Sequence, residues 1–318
     1  MKTERWLSAV VTLLCLVLLA HSPGPVWAQS FSRLDLDPNR VLWSDLSFRA
    51  KRAVVDVAVD IRLAPFSKAE FETIWRTYPQ SIPLPSLGQE VYNLEANRVI
   101  DHIFSRPVNL WDQVLFDPNQ ANSHYGLRSR RGQDDIERAY WFSGTGVHRL
   151  RKMPKSKGEA SRDPAQWTDA KTSFYPYDLT RQECPQVVDP LLLIYVVSAA
   201  PIEKEGGVLS LCVFGKQQLH QVRLRYQGLE NLEVDYVLMG KEGKVMKKGK
   251  VDGLRITLES EPMVRDKEDE ENFSFLGMQG DIAIHIDPEL RIPLQVSGKI
   301  PTVGAVTLKL SEVKMKGQ

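Results

Sequence analysis

Cysteine is scarce, with three residues in 318, at Cys15, Cys184 and Cys212. A chain this poor in cysteine is not a disulfide-built scaffold, and two thiols without suitably spaced histidines make a poor zinc site. Histidine is equally thin. Beyond the first 28 residues it stands alone at His102, His124, His148, His220 and His285, with no H-x-x-x-H or H-x-H pair, so no metal ligand set emerges. There is no G-x-S-x-G elbow, phosphate loop or dinucleotide fingerprint, so no catalytic residue and no cofactor is assigned. Carboxylates are plentiful, but nothing selects one pair, and glycan hydrolysis is the least supported reading. An excess of one charge is also missing: Lys and Arg total 41, Asp and Glu 40. That balance argues against a nucleic-acid partner, whose affinity rests on neutralising phosphates, and against attraction to an anionic membrane surface.

Long apolar runs are confined to the start. Lys2 and Arg5 precede an uncharged run from Trp6 to about Ala20, followed by Pro23-Gly24-Pro25 and Val26-Trp27-Ala28. This layout predicts a cleaved secretory signal over residues 1–28, cut between Ala28 and Gln29. The run falls short of the roughly 20 residues that a bilayer span needs. Bulky Leu14 before Cys15 argues against lipid attachment there. Removing Lys2, Arg5 and Glu4 leaves 39 basic and 39 acidic residues, a formal net charge of zero. No later stretch is long and apolar enough to span, so the mature chain is expected to be a periplasmic protein without a transmembrane segment. Residues 29–318 are expected to form a single β-rich domain.

A polar, turn-rich leader runs from Gln29 to Arg40. Ala53 to Leu63 then alternates: Val55, Val57, Val59, Ile61 and Leu63 on one face, Asp56, Asp60 and Arg62 on the other. That is a strand with one dry and one wet face, which favours an antiparallel sheet. Ser67 and Glu70 read as a capping box, with Phe66 and Phe71 as a hydrophobic staple. Phe71, Ile74, Trp75 and Tyr78 share the apolar face of the helix that follows, which ends before Pro79. Short strands are expected at Val99–Phe104, Val108–Phe116, Ile136–Phe142 and Gly146–Leu150. The basic clusters Arg128–Arg131 and Lys152–Lys157, balanced by Asp134-Asp135 and by Asp266–Glu271, read as solvated loops. Lys152 to Arg181 has no convincing period and reads as a long surface loop. Asp-Pro recurs at Asp37, Asp117, Asp163, Asp189 and Asp287, and each pair should mark a turn or an element start.

Asp189-Pro190 opens the apolar run Leu191–Val197. The β-branched residues allow a buried strand, but an aspartate cap with proline in the first turn favours a short helix buried nearly all round. Strands follow at Val208–Phe214, Leu219–Tyr226, Leu232–Leu238, Lys244–Val251 and Leu254–Glu259, with turns at Gly240-Lys241-Glu242-Gly243 and Asp252-Gly253. Asp281–Leu310 adds three more strands, closing the meander. His285 alternates against Ile282, Ile284 and Ile286 and is expected on the wet face. Cys184 and Cys212 can form a disulfide if their Cα atoms lie within about 7 Å. Cys212 also sits on an apolar stripe, so a buried free thiol remains open.

The second half carries a family pattern, strongest over residues 187–310: Val188-Asp189-Pro190-Leu191 through Tyr195 and Ser198, then a meander, then Asp287 with Arg291-Ile292-Pro293 and Gly304-Ala305-Val306. In order and spacing it resembles the bacterial family catalogued as domain of unknown function 3108. The likeness is weaker over residues 41–150. It implies an exported envelope protein, mainly β (α+β), with a large curved antiparallel sheet or half-barrel and one or two helices packed on or plugging the concave face. That shape resembles lipoprotein-carrier-like folds, which hold acyl chains in an apolar groove, although fold does not establish function.

Asp189, Tyr195, Asp287 and Arg291 are the residues singled out. Each has a structural role open to it (cap, core or turn), and each has a place at the border of a groove. The functional expectation is a non-enzymatic protein that binds a lipid, an amphiphile or an apolar segment in its curved sheet. The alternative is a structural or assembly factor that binds an envelope protein or polysaccharide.

Overall fold

The alternation at the start of the chain is realised as written. Val55, Val57, Val59, Ile61 and Leu63 are all buried, while their polar neighbours face outward. The computed structural model describes residues 33–317 apart from 53–54, 89, 103–105, 133, 178–183, 202–204, 264–272 and 302. The expected signal at 1–28 and the acidic run at Asp266–Glu271 lie outside the described residues.

The protein is mainly β, with one fourteen-stranded sheet and three short α-helices among the described residues. The first eight strands are β1 (Trp43–Arg52), β2 (Val55–Phe66), β3 (Val91–His102), β4 (Val108–Asp117), β5 (Asn122–Arg131), β6 (Ile136–Phe142), β7 (Gly146–Met153) and β8 (Asp169–Pro176). The second half contributes β9 (Val208–Gly215), β10 (Gln218–Gly240), β11 (Gly243–Pro262), β12 (Gln279–Ile286), β13 (Pro293–Ile300) and β14 (Gly304–Met315). The sheet order is β8 to β1 in reverse sequence, then β14 to β9, so each half is a meander and the two halves join where β1 pairs with β14.

Several elements differ from the expectation. The stretch before Val55 is already a strand, β1, whose inner residues Trp43, Leu46 and Phe48 are buried. The leader is anchored by buried Leu34, Leu36 and Val41 rather than being merely polar. Arg128–Arg131 is not a loop but the end of β5, paired on both sides. Lys152–Arg181 is not a structureless loop: β7 runs on to Met153, a one-turn helix α2 (Lys157–Ala160) follows, and β8 forms the sheet edge. An edge strand with few buried side chains carries no apolar period, so the pattern hid it. Asp252-Gly253 is not a turn either. Two pairs of expected strands fuse into β10 and β11, joined tip to tip through Lys241-Glu242. Gly228, at a φ of +102°, sits in the bulge where the β10–β11 register shifts, and such bulges bend a strand without ending it. The far arm of this hairpin passes β13, so Val237–Met239 pairs in parallel with Glu312–Lys314 of β14. Strands β10 to β14 therefore form a closed ring of pairings.

The same arm corrects the reading of His285. The residue is only 4% exposed, and its Nε2 lies 2.9 Å from Glu230 Oε2. Leu232 packs against the bare Cα of Gly253 beside it, where an added Cβ would meet Leu232 at 2.7 Å. Alternation alone could not show that a second layer covers this face.

Helix α1 (Lys68–Trp75) lies on the outer face, with Phe71, Trp75 and Tyr78 against Leu115, Tyr125 and Trp141. Ser67 is its N-cap by position, but its side chain makes no capping hydrogen bond. Helix α3 (Leu193–Ala199), preceded by a 3₁₀ turn at Pro190–Leu192, lies on the opposite, concave face. All seven of its residues are buried, in one cluster with Phe48, Val59, Leu94, Phe116, Val213, Val222 and Ile284. The sheet has wrapped an apolar segment of its own chain.

Candidate functional site

Burying a helix on every side raises a problem at its ends, where backbone N–H and C=O groups lack partners within the helix. The sequence-selected residues meet that need. Asp189 is the N-cap: its Oδ1 accepts from the Leu191 N–H at 2.9 Å. Its other oxygen accepts from Arg128 on β5 at 2.6 Å, with the Asp189 side chain almost fully buried. Burial opposes the Arg128 charge, but Asp189, Tyr140 and Asp112 outweigh it and raise the guanidinium pKa. The Asp189 N–H itself donates to Ser123 Oγ at 2.7 Å.

At the other end Arg291 reaches back across the sheet. Its Nε donates to the Ser198 carbonyl at 3.2 Å, and its Nη2 to the carbonyls of Val197 and Ala200. A buried cation on the last carbonyls also opposes the negative end of the helix dipole. Arg291 holds this position with a φ of +55°. It closes the turn in which Asp287 Oδ1 accepts from the N–H groups of Glu289 and Leu290. Along the side of the helix, Tyr195 is fully buried, donates from its hydroxyl to the Pro118 carbonyl at 2.8 Å, and packs edge-on against Phe116. Trp43 Nε1 donates to Ser198 Oγ at 3.1 Å. The four singled-out residues thus converge on one object, and that object is the helix rather than a vacant groove.

A polar cleft of about 290 Å³ opens near the helix start, lined by Asn122, Ser123, His124, Cys184 and Gln186 among others. Its polar groups are largely committed to the chain itself. Asn122 Oδ1 accepts from the Val187 N–H, and Gln186 Oε1 accepts from the Leu34 N–H. Cys184 and Cys212 are joined as a disulfide with their Cα atoms 5.9 Å apart, which ties this segment to β9. Val188 bridges β9 at Val213 just beyond it. His124 is buried against Phe71, its Nε2 has no hydrogen-bond partner, and burial lowers its pKa to about 4. Among the described residues no carboxylate lines the cleft, and its cysteine is tied up in the disulfide. Among the described residues, no group of three or more His, Cys, Asp and Glu is placed to hold a metal ion. No helix among them is long and apolar enough to cross a membrane.

Sequence reasoning selected Asp189 and Arg291 but missed their partners. Arg128 lay within a charge cluster that composition alone reads as solvent-facing, and Ser123 lies 66 positions from the amide it accepts.

No family model matches the chain, and no curated protein does. Among solved structures it is similar to a β-barrel-like protein of domain of unknown function DUF1849 from Brucella abortus, at 9% identity over 89% of this chain and 98% of that one, with a TM-score of 0.43.

Two outcomes follow from this geometry. Replacing Arg291 by Met leaves the α3 carbonyls without their charged donor, and urea unfolding should show a loss of about 1.5–3 kcal/mol. The second concerns acid. At a pH well above 6.5, His124 is neutral in folded and unfolded chains alike and contributes nothing to the pH dependence. As pH falls from about 6.5 to about 4, the unfolded chain takes a proton that the folded one refuses, and stability drops by up to about 3 kcal/mol. His124→Phe should flatten that limb of a stability–pH profile; an unchanged limb would assign it to other groups.

Proposed function

We propose that this chain is a non-enzymatic, exported protein of the cell envelope, similar in kind to the domain of unknown function 3108 family. In this reading it works as a structural or assembly factor that recognises an envelope protein or polysaccharide through its surface. The observation that carries it is the complete burial of α3 on the concave face. A sheet that held a lipid or amphiphile there would need the space this helix fills. The helix is capped by Asp189, clamped by Arg291 and pinned by Tyr195, so vacating the groove would break three sets of buried hydrogen bonds. The apolar-segment form of the groove reading is satisfied within the chain, by residues 190–199.

Native mass spectrometry of protein exported and purified from cells tests both halves of this reading. It should give the mass of a chain starting at Gln29, without lipid adducts, and in-cell crosslinking should recover an envelope component. A stoichiometric lipid on the purified protein would overturn the solid-core reading, and a mass that retains residues 1–28 would overturn the cleaved export signal.

A further inference from the structure

Past the N-terminal end of α3 the concave face changes character. On β2 to β4 it presents Val59, Ile61, Leu63, Leu94, Val114 and Phe116 to the core. From β5 outward it presents arginines alongside a second apolar cluster of Tyr140, Phe142 and Val147. The pairings run Asp112 to Arg128, Arg128 to Arg138, Arg138 to Arg151 and Arg151 to Lys171, a single cross-strand row over β4 to β8. Because side chains alternate along a strand, Arg130 on β5 and Arg149 on β7 lie on the same face as this row.

Like charges directly opposite one another on neighbouring strands, roughly 5 Å apart, destabilise a sheet. A folded protein keeps such a row where each charge is neutralised or where something else brings the opposite charge. Here the neutralisation is incomplete. Arg128 has Asp189, Arg151 has Asp169 and Arg130 has Asp134. Arg138, at the centre, has no carboxylate partner among the described residues. Burial and the charges of Arg149, Arg130 and Arg128, against the opposing effect of Tyr140, push its pKa down. Among the described residues Arg149 donates to Ser173 Oγ and lies over the Tyr175 ring. The Nε groups of Arg149 and Arg151 are buried with no acceptor among the described residues. The row is nevertheless reachable, since the Arg128 and Arg151 side chains are 30% and 28% exposed.

We infer that this guanidinium row is a binding site for a ligand that carries two or more phosphate groups. Guanidinium presents paired donors that match phosphate oxygens, and a row of guanidinium groups on neighbouring strands suits charges spaced along a chain rather than a single ion. The inference stands apart from the assembly-factor reading, because the row is a local property of β5 to β8. Its ligand is either a free oligophosphate or a clustered phosphate on a lipid headgroup.

The test uses the whole exported chain in low-salt buffer, titrated calorimetrically with orthophosphate, with tripolyphosphate and with vesicles containing phosphatidic acid. Tripolyphosphate or the vesicles should bind more tightly than orthophosphate, and the response that occurs names the source. The double variant Arg138→Gln/Arg151→Gln should weaken that binding about tenfold or more. Arg138→Lys, which keeps the charge, should retain most of it, and Arg223→Gln, on β10 and paired with Glu261, should leave it unchanged. Thermal melting without ligand separates folding from binding: relief of the like charges should leave Arg138→Gln at least as stable as the parent. The inference fails if no phosphate compound binds. It also fails if binding survives the double variant, or if Arg138→Gln alone melts well below the parent, since that would make Arg138 structural.

Discussion

Everything in this fold turns on an apolar helix that has no access to water. A helix buried on all sides gains the transfer of its side chains from water but strands the polar groups at both its ends, and each unsatisfied group costs about 1–3 kcal/mol. The structure meets that cost with charged groups brought from far along the chain. Asp189 caps the start and is itself held by Arg128, 61 positions away. Arg291 covers the end from 91 to 94 positions away. Those distances explain why both halves of the sheet are needed: β5 supplies one fastener and the β12–β13 turn the other. The helix is thus a joint between two meanders that also meet along β1 and β14 and where Phe214 of β9 packs against Tyr140, Phe142 and Tyr175.

The same constraint shapes the two faces. Inside, the helix fills the curved sheet against Phe48, Val59, Leu94 and Ile284. Outside, α1 covers the strands of the first half, and the far arm of the β10–β11 hairpin covers β12 and closes a ring with β14. Beyond the helix start the concave face carries a second apolar cluster of Tyr140, Phe142 and Val147 with Phe214, and beside it a row of arginines.

Much of this was legible in the sequence because its local rules were kept. All five Asp-Pro pairs do what their chemistry implies: Asp37, Asp117, Asp163, Asp189 and Asp287 each accept the N–H two residues on. The inner alternation of β2 follows from its period, and the Asp-Pro start signal tips the apolar run toward the buried helix found at Leu193–Ala199. Features decided by tertiary cover were hidden. His285 reads as solvent-facing until Glu230 and Leu232 arrive from a strand more than 50 residues earlier. Arg128 to Arg131 reads as a solvated cluster because charge run together looks like loop, yet the R-x-R spacing at Arg128/Arg130 and Arg149/Arg151 was a strand signature with the polar face turned inward. The edge strand β8 carries too little apolar surface to announce itself. The fused strands β10 and β11 depend on a glycine bulge that reads locally as a turn.

Native-state hydrogen exchange of the α3 amides tests most directly whether the helix is a fixed part of the core or a movable plug. Amides of Val196, Val197, Ser198 and Ala199 bond back within the helix and should exchange only through global unfolding, with the free energy obtained from urea denaturation of the same protein. Exchange through a local opening well below that value, with the sheet still protected, would show that the groove can be vacated and would contradict the account.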